Sequence, residues 1–190
     1  EISEKFGDTF LNQIEISLKT FDPKIKDMLK EEIDLKNEYT KLTAGAKIEF
    51  EGEEYNLAGL GPFHSNSDRN IRKRSYEARF GWFKKNEVEL DDIYDKLVKL
   101  RHKIAITLGY DNFIDLGYYR MGRTDYGPKE VENFRKQIVE NVVPIINVLL
   151  EKKRKMLGLE QLYFYDGINF KEGDPTPKGT PEELVKSAQK

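Results

Sequence analysis

Apolar positions recur at steps of three and four through most of this chain, the period of helices that bury one face. Phe6, Phe10, Ile14 and Leu18 lie four apart and predict a helix over about Glu4 to Lys19. Pro23 opens a second helix, with Ile25, Met28, Leu29, Leu35, Tyr39 and Leu42 inward and Ala44-Gly45 as its close. The period then drops to two. Lys47 to Leu57 alternates about Glu51-Gly52 and predicts a β-hairpin, which must pack on helices because an isolated hairpin is marginal in water. Gly59 to Pro62 reads as a turn. Ser67 is the expected cap of a helix over about Asp68 to Lys85. Asn86 with Glu89 is the expected cap of the next, over about Val88 to Leu108, whose apolar face is Leu90, Ile93, Tyr94, Leu97, Leu100, Ile104 and Leu108. Gly109 is its stop signal.

A shorter helix is expected from Asp111 to Arg120, followed by the polar connection Met121 to Gly127. Pro128 opens the longest helix, to about Leu157, with Val131, Phe134, Ile138, Val142, Ile145, Leu149 and Met156 on one face. Pro144 removes a backbone donor within it and predicts a kink or a break. Leu162 to Tyr165 is an aromatic strip, and Lys171 to Gly179 is a loop rich in Gly and Pro. Thr180-Pro181-Glu182-Glu183 then opens a further helix as a capping box, and Leu184, Val185 and Ala188 begin its apolar face. Lys190 follows without a stop signal, and Glu1 stands where a Met is usual; both read as the ends of a cut piece. The expected fold class is mainly α: a multi-helix lobe with one hairpin over residues 1–190. It divides into a helical pair (1–45), the hairpin (47–57), helices (68–157), a loop-rich stretch (158–180) and a helix start (181–190).

Composition narrows the chemistry. The charges nearly cancel, 32 Lys and Arg against 34 Asp and Glu, which argues against nucleic-acid binding. The absence of Cys excludes disulfides and thiolate zinc sites. The longest apolar stretch, Ile138 to Leu150, is about half a membrane span and is interrupted by Glu140, Asn141, Pro144 and Asn147, so no membrane partner is expected. Two histidines, His64 and His102, lack the spacing of a zinc site, and no nucleophile elbow or phosphate loop occurs. The acidic run Glu87, Glu89, Asp91, Asp92 and Asp95 complements the start of a helix dipole. The basic run Arg69 to Lys85 carries Tyr76, Phe80, Trp82 and Phe83 at helical spacing. That spacing predicts aromatics in the core and basic groups in solvent.

The most unusual string is Tyr118-Tyr119-Arg120-Met121-Gly122-Arg123-Thr124-Asp125-Tyr126-Gly127. Arg120 and Arg123 can hold a carboxylate bidentately and the tyrosines can hydrogen-bond a peptide backbone. An interhelical polar knot, with Asp125 paired to an arginine, accounts for the same residues equally well.

Four strings in order carry a resemblance: KIEFEGEEYNLAGLGPF (Lys47 to Phe63), GYDNFIDLGYYRMGRTDYG (Gly109 to Gly127), NFRKQIVENVVPIIN (Asn133 to Asn147) and DPTPKGTPEEL (Asp174 to Leu184). Together they resemble the oligoendopeptidase F branch of the M3, thimet-oligopeptidase-like metallopeptidases. The resemblance implies a helical, two-lobed cytoplasmic enzyme with a deep channel that hydrolyses short peptides. It also implies one zinc, held by an HExxH helix and a downstream Glu, with the motif Glu activating the zinc-bound water. No HExxH occurs here. The resemblance therefore assigns this chain no catalytic residue and no metal ligand. It implies a non-catalytic part of such an enzyme, inactive alone and without zinc of its own, forming channel wall and scaffold. Tyr119, Arg123 and Tyr126 are the substrate-cleft candidates. Self-association through exposed apolar surface is a further expectation. The alternative is a non-enzymatic α-helical binding or scaffold module.

Overall fold

The computed structural model describes residues 5–167 and 179–189. The expected helix start at Glu4 and the loop from Lys171 up to Gly179 lie outside those residues. The described fold is mainly α with one two-stranded hairpin, as expected. Helix α1 spans Asp8–Thr20, a 3-10 turn Pro23–Ile25, α2 Lys26–Ala44, β1 Ile48–Phe50, β2 Glu53–Tyr55 and the short α3 Gly61–His64. Then follow α4 Arg69–Lys85, α5 Glu87–Thr107, α6 Phe113–Arg120 and α7 Pro128–Gln137. A π-helical segment Ile138–Val142, α8 Val143–Met156, a 3-10 turn Phe164–Asp166 and α9 Pro181–Ala188 complete the order.

The local chemistry explains most boundaries. Asp22 accepts from the Lys24 amide at 2.8 Å and starts the Pro23 turn. The cap of α4 is Asp68, not Ser67: its carboxylate accepts from the Asn70 amide at 2.7 Å. Asn86 does not cap α5 with its side chain. Its amide nitrogen donates to the Trp82 carbonyl at 2.7 Å and so closes the helix before it. Gly109, at φ +89°, ends α5 as expected. The hairpin pairs Ile48 with Tyr55, Glu49 with Glu54 and Phe50 with Glu53. Its turn places Glu51 at φ +50° and Gly52 at φ +86°, the two positive φ values of a type I′ turn. Thr180 accepts from the Glu183 amide and the Glu183 carboxylate accepts from the Thr180 amide at 2.8 Å, the expected capping box.

Two apolar clusters form the body. In the first, Ile25, Leu35, Leu100, Ile104, Ala105 and Leu116 join the Pro23 turn, α2, α5 and α6. In the second, Ile48, Phe50 and Leu60 pack the hairpin against α4 through Ile71, Ala78 and Trp82. Some inward assignments fail. Tyr39 and Tyr94 are exposed, and the buried residue of α1 is Ile16, while Phe10, Ile14 and Leu18 on it and Phe6 just before it are exposed. The cause on α1 is that it meets the rest of the described chain mainly along α6.

The long helix meets one expectation and departs from another. The expected break falls just ahead of Pro144: a π-helical turn over Ile138–Val142, closed by the Val143 amide on the Ile138 carbonyl, separates α7 from α8, and Pro144 sits in the first turn of α8. The face expected inward is open: Phe134, Val142, Ile145, Leu149 and Met156 are all exposed.

Candidate functional site

The junction of α6 and α7 is built from its caps. Asn112 accepts from the Ile114 amide at 2.7 Å and starts α6. At the other end the Met121 amide donates to the Gly117 carbonyl at 3.1 Å, Gly122 takes φ +71°, and the Arg123 amide returns to the Tyr118 carbonyl at 3.2 Å. Four residues later the Glu130 carboxylate accepts from the Gly127 amide at 2.9 Å, fixing the start of α7. That bond is the main reason the Glu130 carboxyl titrates below the usual carboxylate range. Arg123 and Tyr126 are thus presented on a short turn held at both ends.

Arg123 donates to the Tyr126 hydroxyl, and its guanidinium lies 5.1 Å from the centre of the Tyr126 ring. Two cavities flank this pair. One, of about 510 Å³, is lined by Tyr118, Met121, Arg123, Tyr126, Glu130, Val131 and Phe134. The other, of about 310 Å³, adds Asp115, Tyr119, Thr124, Asp125, Gly127 and Pro128 to the shared wall of Tyr118, Arg123, Tyr126 and Glu130. Tyr119 therefore reaches only the second. Its ring lies 6.1 Å from that of Tyr110 and 5.0 Å from the Lys19 ammonium, so it also ties α6 to α1.

Arg120 does not join Arg123. It turns inward and donates to Glu32 at 2.7 Å, while Arg101 donates to the other oxygen of Glu32 at 2.8 Å. The carboxylate that Arg120 holds is the chain's own. The Thr124 hydroxyl donates to Asp125 at 3.3 Å. Glu32 is only 2% exposed. Burial opposes its charge most strongly, but the hydrogen bonds from Arg120 and Arg101 outweigh it and hold its pKa below the ordinary value.

A second such knot lies at the far end of α4. Asp166 is 1% exposed. It accepts from Arg69 at 2.8 and 2.9 Å and from Arg72 at 3.3 Å. Arg72 also donates to the carbonyls of Tyr165, Asn66 and Ser67. The expectation that the basic groups of this run all face solvent is thereby corrected for Arg72, which is buried. Both acids were missed from sequence. Glu32 did leave a signal, since it stands between Leu29 and Leu35 on an otherwise apolar stripe.

The histidines do not converge on a metal. His64 stacks on Tyr76 at 4.0 Å between ring centres, and His102 is exposed on α5. Burial, and then the charge of Arg79, lowers the His64 pKa below its ordinary value. Among the described residues no group of three His, Cys, Asp or Glu side chains is placed to hold a metal ion. Among them too, no helix is long and apolar enough to cross a membrane.

The sequence model of peptidase family M3 matches residues 63–179. This chain belongs to peptidase family M3. A curated relative is the oligoendopeptidase F homologue of Borreliella burgdorferi (strain ATCC 35210 / DSM 4680 / CIP 102532 / B31), 29% identical over 104 residues, which are 55% of this chain and 17% of that protein. Solved structures superimpose on nearly the whole chain. PZ peptidase A with inhibitor 2 is 46% identical at a TM-score of 0.90, covering 99% of this chain and 34% of that one. An oligoendopeptidase F from Bacillus anthracis str. Ames is 41% identical at a TM-score of 0.88, covering 99% of this chain and 35% of that one. The M3 chain described here thus spans about a third of the length of these solved relatives.

Proposed function

We propose that this chain is the non-catalytic part of a zinc-dependent oligoendopeptidase that hydrolyses short peptides in the cytoplasm. The observation that carries the reading is the likeness to PZ peptidase A, 46% identical over 99% of this chain. The described residues offer no ligand set that fits zinc. In this reading the ion is held by a part of the enzyme outside them, and no chemical step is assigned to these residues. The chain alone neither binds catalytic zinc nor cleaves peptides.

Its contribution is shape and orientation. The helices from Pro128 to Met156 line a channel that admits extended peptides and excludes folded proteins. The junction of α6 and α7 faces that channel. Arg123 supplies an exposed guanidinium fork suited to a peptide carboxylate or carbonyl, and Tyr126 fixes its direction. Tyr119 lines the smaller cavity beside them and anchors the turn to α1.

The test uses the protein made from the uninterrupted natural coding region, with internally quenched peptides of graded length. The expected result is cleavage of short peptides, lost on chelation and restored by zinc. Arg123→Ala should then raise KM several-fold with the melting temperature unchanged. No cleavage by the complete protein overturns the peptidase reading in favour of a helical scaffold. Unchanged kinetics with a lowered melting temperature leave Arg123 as a structural brace.

A further inference from the structure

The arm formed by the π-helical segment and α8 has no core of its own. From Asn141 to Leu150 it carries no charged residue. Val142, Val143, Ile145, Ile146, Val148, Leu149 and Leu150 are each between 40% and 61% exposed. At about 100° per residue these seven side chains sweep roughly 220° of the helix, more than twice the width of a stripe that packs on one neighbour. Pro144, Asn147 and Glu151 occupy the remainder. Within the described chain the arm adjoins the body through α7, which meets α6, and through its C-terminal end, where Lys153 donates to the Gly167 carbonyl at 2.5 Å.

We infer that this arm is an interior helix, seated between at least two helices supplied by the part of the M3 peptidase fold that lies outside this chain. The inference rests on the reading above and names the surface through which the two parts join. Two features point to that occupant rather than a second copy. A twofold contact between identical helices covers one stripe and leaves the rest of the arc in water. The arm also keeps its place in chains at 41–46% identity whose own length is about three times greater, so the matching backbone is set in a larger protein there. The Asn147 and Glu151 stripe is the part left toward water, which agrees with a helix that walls a channel.

The experiment is amide hydrogen exchange of residues 138–150 in the 190-residue chain and in the product of the uninterrupted coding region. The expected result is exchange slowed about 100-fold or more in the longer protein relative to the short chain. Ile145→Lys with Leu149→Lys should leave the melting temperature of the short chain nearly unchanged and lower that of the longer one. Equal exchange in both proteins overturns the inference. So does concentration-dependent dimerisation of the short chain that protects the same amides, because the occupant is then a second copy. Peptidase activity is read separately on the longer protein. Activity with an unprotected arm defeats only this inference, and a protected arm without activity defeats only the peptidase reading.

Discussion

Glu32 and Asp166 are each almost wholly buried and each gripped by two arginines, yet the two knots are built around different hubs. At the first, the acid is the hub. Glu32 on α2 divides its oxygens between Arg101 of α5 and Arg120 of α6, whose side chains are 37% and 26% exposed. At the second, the hub is Arg72, only 5% exposed, which serves three backbone carbonyls besides Asp166. The first knot registers three helices against one another. The second fixes an irregular segment, the Phe164–Asp166 turn, onto α4, and leaves its chain ends hydrogen-bonded. The difference teaches where loss is tolerable: arginines near water can be resolvated, whereas carbonyls stranded under a buried guanidinium cannot.

The strongest way to break this comparison is Arg72→Ala. It leaves Asp166 with Arg69 alone and removes the donor from Tyr165, Asn66 and Ser67. The expected cost is about 3–5 kcal/mol in urea unfolding, the range for removing one partner of a buried pair. A cost below about 1 kcal/mol would show that water replaces the guanidinium and that Asp166 is the hub after all.

Glu32→Gln comes next, at about 1–3 kcal/mol, because the amide turns one acceptor into a donor facing an arginine, while both arginines keep access to solvent. The same variant carries a pH signature. Glu32 and Asp166 both have folded pKa values lowered below the ordinary carboxylate range, against their burial, by arginine hydrogen bonds. A lowered folded pKa contributes stability that is complete above the unfolded value, about 4, and is lost as pH falls through the folded value. Stability should therefore be flat near neutrality and fall below about pH 4.5, and Glu32→Gln should flatten part of that acid limb. An acid limb of unchanged slope in Glu32→Gln would mean the Glu32 pKa is the same folded and unfolded.

These knots also mark how far the sequence alone could be read. The helices of the body were legible because their apolar stripes, Ile93, Leu100 and Ile104 for example, face a partner that lies within the chain. The hairpin was legible because Glu51-Gly52 permits the positive φ values its turn requires. The open faces of α1 and α8 carry the same periodicity, and periodicity does not say whether a partner is present. The candidate turn was half legible. Arg123 and Tyr126 do meet on one surface, but Arg120, read as their companion, is taken by an acid 88 positions away in sequence. The Asp166 knot spans 94 and 97 positions and leaves no periodic trace, since pairing at that range is set by tertiary geometry alone.

The smallest effect sharpens the comparison at the aromatic rings beneath the arginines. Both guanidinia of the first knot lie over one ring, Phe113, at 5.7 and 5.8 Å. In the second, Arg69 lies 5.7 Å from Tyr163 and 5.0 Å from Tyr165. Tyr165 is buried while Tyr163 is 47% exposed. A desolvated cation–π contact is worth more than an exposed one, so Phe113→Leu should cost about 1–2 kcal/mol and Tyr163→Leu about 0.5 kcal/mol or less. Part of the Phe113 cost is lost packing in the α5–α6 cluster, which a single variant does not separate. The cycle pairing Phe113→Leu with Glu32→Gln does. If the ring helps orient the two arginines toward Glu32, the double variant should cost less than the sum of the singles by at least about 0.5 kcal/mol. Additivity within that margin would reduce Phe113 to a filler of space and leave Glu32 as the sole organiser of its knot.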